Sequence, residues 1–140
     1  MARPWIENPA GMDELLNSPV GPVARLVSGV TRDVLRTVEN ECPKRSGDTS
    51  RSFRSDVTVR PNRRVVGRVY SDDPVVTYLE KGTGLYGPRG RRIVPRNARA
   101  LRFEVGGQVI FRRSVRGMRP QPFMRRSLEI ASPWPVRDGA

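Results

Sequence analysis

The chain contains no histidine and a single cysteine, Cys42. A serine–histidine triad, a cysteine–histidine dyad and a histidine general base are excluded. Intrachain disulfides and cysteine/histidine zinc sites are excluded with them. Aromatic residues make up 6% of the 140 residues and apolar residues 36%, below the usual share for a globular domain. No apolar run approaches the roughly 20 residues that span a bilayer. The start, Met1-Ala2-Arg3-Pro4-Trp5-Ile6-Glu7-Asn8-Pro9, lacks the apolar stretch of a signal peptide. What remains suffices for a single domain over residues 1–140 with one core, not for separate catalytic and regulatory domains. The expectation is a non-enzyme with no catalytic residue, no cofactor, no metal and no membrane partner.

Lysine is also scarce. Lys44 and Lys81 are the only two, so arginine supplies nearly all of the 26 basic residues that outweigh 14 acids. The net charge is +12, and it is uneven. Residues 85–126 hold twelve arginines against one acid, Glu104, which leaves +11. Such a segment is either a solvated basic face or a surface for phosphates or an acidic protein. The planar guanidinium fork suits both partners, because it binds phosphate or carboxylate bidentately.

Residues 1–18, with Pro4, Pro9 and a short helical turn at 12–17, read as an N-terminal arm. Apolar residues then recur at Val23, Leu26, Val27, Val30, Val34 and Val38, the spacing of an amphipathic helix. Pro43 disfavours helix at the residue before it, so the helix should run over residues 20–42. Cys42 extends the stripe and reads as a buried structural thiol. Residues 43–50 read as a loop. Alternation at Phe53, Ser55, Val57 and Val59, a turn at Pro61-Asn62-Arg63, and a second run over 65–70 predict a hairpin. Asp72-Asp73-Pro74 has the form of a helix cap with proline just inside, and Gly82 ends that short helix. Residues 84–92 hold three glycines and Pro88 and read as a flexible loop. Leu101, Phe103 and Val105 alternate up to a Gly106-Gly107 turn, and Val109, Phe111 and Arg113 alternate after it. Phe123, Met124, Leu128 and Ala131 mark a final short helix, and residues 132–140 a C-terminal tail. The class is α+β: a long N-terminal helix on a four-stranded, mainly antiparallel sheet, with a short inserted helix and a short C-terminal helix. Val30, Val34, Phe53, Val57, Leu101, Phe103 and Phe111 are the expected core.

Candidate chemistry is sparse. Gly82-Thr83-Gly84 is glycine-rich but lacks the lysine and hydroxyl of a phosphate-binding loop and follows a helix, not a strand. Glu80 is better read as a structural carboxylate partnered by arginine than as a general base. Asp72 and Asp73 point apart on any regular element. Gly82 and Gly84 can take positive φ and turn the chain sharply out of the helix, Thr83 can hydrogen-bond that turn, and Pro122 can preset the first turn of the last helix so that Phe123 anchors it. Glu80, Gly82, Thr83, Gly84, Pro122 and Phe123 are thus expected to define the fold.

Several stretches, in order, resemble the gene-product-ten-like family of long-tailed bacteriophages, described as tail components or head–tail neck proteins. They are Pro43-Lys44-Arg45-Ser46-Gly47 with Ser52, Tyr78-Leu79-Glu80-Lys81-Gly82-Thr83-Gly84, Ile93-Val94-Pro95 with Ala100-Leu101-Arg102-Phe103, and Phe111, Val115, Gly117 and Pro120-Gln121-Pro122-Phe123-Met124. Thr49 stands where the family usually has leucine. The resemblance implies a structural protein of the virion, made in the bacterial host cytoplasm and located at the head–tail junction or in the tail. It implies a ring of six or twelve copies that contacts neighbouring neck, portal-side and tail-tube proteins and encloses the passing genomic DNA. The arm, the 84–92 loop and the tail are the expected ring contacts. Arg89, Arg91 and Arg92, then Arg112, Arg113 and Arg116, are the expected contacts to the DNA channel or to acidic partners. The alternatives are a tail terminator ring and a stand-alone basic nucleic-acid-binding protein. The latter is favoured by the charge, but the sequence carries no zinc-finger or RNA-recognition signature.

Overall fold

The computed structural model describes residues 8–44, 47–61 and 64–137. Residues 1–7 of the arm, Arg45 and Ser46, Asn62 and Arg63 of the expected turn, and the end of the tail lie outside the described residues. The chain divides into two compact units. One comprises the described residues up to Asp72 together with those from Ser127 onward, and the other is Asp73–Arg126.

In the first unit, helix α1 spans Pro9–Asn17. Asn8 caps it, its Oδ1 accepting from Gly11 N at 3.0 Å, and Pro9 takes the first helical position, where no N–H is needed. The second half of the segment read as an arm is therefore helix, packed on the next helix and on the hairpin. Helix α2 spans Pro22–Glu41, entered through Gly21 and ended at Cys42 before Pro43. A single helical turn, α3, Asp48–Arg51, follows where the sequence reads as loop. It is held by Ser50 Oγ donating to Gly47 O at 2.9 Å and by an Arg51–Asp48 ion pair. Strands β1, Arg54–Arg60, and β2, Arg64–Tyr70, pair antiparallel with Val57 opposite Gly67.

Helix α2 lies on one face of that hairpin. Its buried residues are Ala24, Thr31, Val34 and Val38. This face is rotated from the expected stripe: Leu26 is 57% exposed and Val30 only half-buried. Small residues let the helix approach closely. A Cβ on Gly67 would collide with Thr31 Oγ1, so β2 meets α2 where neither residue brings bulk. Phe53 and Cys42 are also buried. Each large apolar side chain so enclosed contributes about 1.5–3 kcal/mol.

In the second unit, helix α4, Pro74–Lys81, is capped by Asp73, whose carboxylate accepts from Val75 N at 2.9 Å. Val76 and Leu79 are its buried residues. One turn of 3-10 helix, Gly84–Tyr86, opens the glycine-rich segment. Strands β3, Leu101–Val105, and β4, Gln108–Arg112, pair across the Gly106-Gly107 turn, both glycines having positive φ. Helix α5, Phe123–Ala131, closes the chain's regular structure, and its residues up to Arg126 belong to this unit.

The mixed α+β class stands, but the four strands do not share one sheet. They form two separate two-stranded sheets, β1–β2 and β3–β4, one in each compact unit. Alternation and turn residues act locally and produce hairpins; they do not join hairpins to each other. The expected core needs a second correction. With Val105 opposite Gln108, Phe103 pairs with Ile110 and Phe111 with Arg102. Directly opposed residues share a face, so Phe111 lies on the opposite face from Leu101 and Phe103, and it is 62% exposed. Leu101, Phe103 and Val57 are half-buried.

Candidate functional site

The residues expected to define the fold converge within Asp73–Arg126. Helix α4 ends at Gly82, φ +74°, and Gly84 has φ +63°. Both angles fall in the region open to glycine. Between them Thr83 runs against residues 116–118. Thr83 N donates to Met118 O and Met118 N to Thr83 Oγ1, each at 2.9 Å, while Leu85 N donates to Arg116 O at 2.7 Å. The backbones are so close that a Cβ on Gly84 would strike Arg116 O, and one on Gly117 would strike Thr83 O.

One turn earlier in α4, the same helix holds the start of α5. Gln121 N donates to Leu79 O at 2.7 Å, and Met124 N donates to Glu80 Oε1 at 2.6 Å. The first N–H groups of a helix lack intrahelical partners, and a carboxylate there also meets the positive end of the helix dipole. Glu80 is thus a structural carboxylate whose partner is a backbone amide, not the arginine expected from sequence. Phe123, next to that amide, is buried, and Pro122 O accepts from Arg126 N in the first helical turn. Glu80, Gly82 and Thr83 meet residues 116–124 in one hydrogen-bonded clasp. In the same segment, Arg119 stacks on the Tyr86 ring at 5.3 Å.

The contact arginines are dispersed around this clasp. Ile93 and Val115 exchange two backbone hydrogen bonds, at 2.9 and 3.0 Å. That antiparallel register sets Arg92 opposite Arg116, and Arg92 Nε donates to Ser114 Oγ at 3.0 Å. Arg112 is opposite Leu101 at the end of β4, and Arg113 follows in a bend beyond the strand. Arg89 and Arg91 are exposed beside a turn closed by Gly90 N donating to Gly87 O. Among the described residues none of these six arginines is in a salt bridge. The Ile93–Val115 bridge brings together the segments that carry Arg92 and Arg116.

A second arginine surface lies in the first unit, outside the +11 segment. The face of β1–β2 turned away from α2 carries Arg54, Asp56, Thr58 and Arg60 from one strand and Arg64, Val66, Arg68 and Tyr70 from the other. Arg68 grips Asp56 bidentately, at 3.0 and 2.6 Å, and lies 5.8 Å from the Tyr70 ring centre. The hydrogen bond to Arg68 holds the Asp56 carboxyl below the usual aspartate range, and Asp56 in turn raises Arg68 above the usual arginine value. The sequence signal for this face is arginine at four of the eight alternate positions of two paired strands. An open cleft of about 620 Å³ runs along β1, lined by Asn17, Pro19, Ser28 and Val57 through Pro61.

Among the described residues, no three histidine, cysteine, aspartate or glutamate side chains come together as a metal site, and no helix is long and apolar enough to cross a membrane. Comparison with known proteins found no matching family model, no matching curated protein and no matching solved structure.

Proposed function

We propose that this chain is a structural protein of a tailed-phage virion, a subunit of a ring in the head–tail connector or at the head-proximal end of the tail. Its work is assembly: joining head to tail, or completing the tail. The observation that carries the reading is the ordered set of family-like stretches, two of which, around Glu80–Gly84 and Gly117–Met124, interlock in the clasp. A ring needs heterologous contacts, one patch meeting a different patch on the next subunit. The N-terminal arm, residues 84–92 and the tail supply them. Arg89, Arg91, Arg92, Arg112, Arg113 and Arg116 then face the DNA channel or acidic patches on adjoining rings, with sequence-independent attraction and no base readout.

The test is location and assembly. Antibody labelling of purified virions should mark the head–tail junction, and gene order should place the coding sequence between the portal and capsid block and the tail-tube gene. A chain lacking residues 1–7, which keeps the Asn8 cap, should fold but fail to join the particle. Label on the tail tip or inside the capsid, or absence from virions altogether, would overturn the proposal. The last outcome would favour a stand-alone basic nucleic-acid-binding protein.

A further inference from the structure

We propose that the outer face of the β1–β2 hairpin binds the phosphate backbone of duplex DNA, with the two-stranded ribbon seated along the major groove. This surface includes none of the six arginines assigned to the ring above, and the inference does not require the ring.

Three observations carry it. The first is charge: the face holds four arginines and one acid, Asp56, and Arg68 already occupies that acid bidentately. Among the described residues Arg54, Arg60 and Arg64 are in no ion pair. The second is register. Arg60 is directly opposite Arg64. Like charges in that position repel at a Cβ separation of about 4.5–5.5 Å. An anion between or beside them turns that repulsion into attraction. The third is shape. The sheet has only two strands, α2 covers one face, and Arg54, Thr58, Arg60, Arg64, Arg68 and Tyr70 on the other are all exposed. The major groove, about 12 Å wide, admits a two-stranded ribbon. Arg54 and Arg60 lie six residues apart along β1, which at about 3.3 Å per residue spans roughly 20 Å, several phosphates of either groove wall. Arginine donates to phosphate in a fixed fork, and Tyr70 keeps Arg68 oriented from one side.

Fluorescence anisotropy with the purified full chain and a 25-base-pair duplex, between 50 and 200 mM salt, tests this. Each phosphate contact adds about 0.9 to the slope of log K against log salt. The R54Q/R60Q/R64Q variant should lower that slope by about 2–3. R54K/R60K/R64K should retain most of it. R25Q/R32Q/R36Q, which removes the same charge from exposed positions of α2, should change it by less than about 1. Circular dichroism checks that all three fold. Equal slopes for the two glutamine variants would overturn the proposal. So would no duplex binding at 50 mM salt, tighter binding to single strands than to duplex, or binding to an acidic peptide alone. Absence of the chain from virions would leave this result untouched, so the two proposals fail separately.

Discussion

Replacing Gly67 with alanine should destabilise the chain, although alanine normally stiffens the unfolded state to advantage. A Cβ at Gly67 would run into Thr31 Oγ1 and lie 3.2 Å from Thr31 Cβ and Val27 Cγ1. Thr31 cannot swing aside at no cost, because its hydroxyl donates to Val27 O at 2.7 Å and rotation about χ1 breaks that bond. Inserting one methyl into a packed contact costs about 1–3 kcal/mol, and the reduced unfolded-state entropy returns about 0.4–1 kcal/mol. The net loss is about 1–2 kcal/mol, a downward shift of roughly 0.5–1 M in the urea midpoint for typical m-values. Thr31→Ala alone should change stability by less than about 1 kcal/mol, because the lost hydrogen bond is offset by better helix propensity. The double variant should recover about 1 kcal/mol or more relative to the sum of the single changes, the signature of residues in contact. If Gly67→Ala is as stable as the parent chain, or if the two changes simply add, then β2 does not approach α2 at this point and the account of the first unit is wrong.

Further outcomes test the clasp, the core and the ion pair. Glu80→Ala should cost about 1–3 kcal/mol by leaving Met124 N without its acceptor, while Glu80→Gln, which keeps an acceptor, should cost about half as much in the same urea titration. Gly84→Ala, at φ +63° and against Arg116 O, should cost more than about 2 kcal/mol and remove hydrogen-exchange protection at Thr83 and Leu85. Phe53→Ala, at a residue 4% exposed, should lose about 3–5 kcal/mol, whereas Phe111→Ala, at one 62% exposed, should stay within about 0.5 kcal/mol in the isolated chain. Carboxyl NMR should find Asp56 titrating below the usual aspartate value of about 3.9, and Arg68→Gln should return it upward. Because the folded value is the lower one, the contribution of the Arg68 contact to stability is present above the unfolded value. It is lost as pH falls through the folded one.

The long helix was legible because punctuation bounds it: Gly21-Pro22 at one end and Pro43 at the other place it within two residues of its observed span. Its buried face was less so. Counting apolar residues favoured Leu26 and Val30, but a helix lying close to a hairpin buries what is small, and Ala24 and Thr31 won. The Gly106-Gly107 turn already contained the register that sets Phe111 with Arg102 rather than with Phe103. Alternation read strand by strand missed it, because a face is a property of the pair. Glu80 was identified as structural, but its partner comes from 44 residues along the chain, a distance no local pattern encodes. The arginine face of β1–β2 is harder to see because its four charges are spread over 15 residues among valines and one acid, Asp56. The denser run after Leu85 outweighed it.

The clasp ties together two points 35 residues apart, so everything between them is one long excursion that leaves and returns at a single knot. Closing a loop of that size costs about 3 kcal/mol in chain entropy. The several hydrogen bonds of the clasp offset that cost together. Once tied, the knot isolates what it encloses. Doubling the length of the excursion adds only about 0.6 kcal/mol, and the Gly106-Gly107 tip has no heavy atom within 4 Å of where a side chain would begin. That tip is a natural splice point. A foreign hairpin or peptide tag inserted there should leave the anchor unchanged.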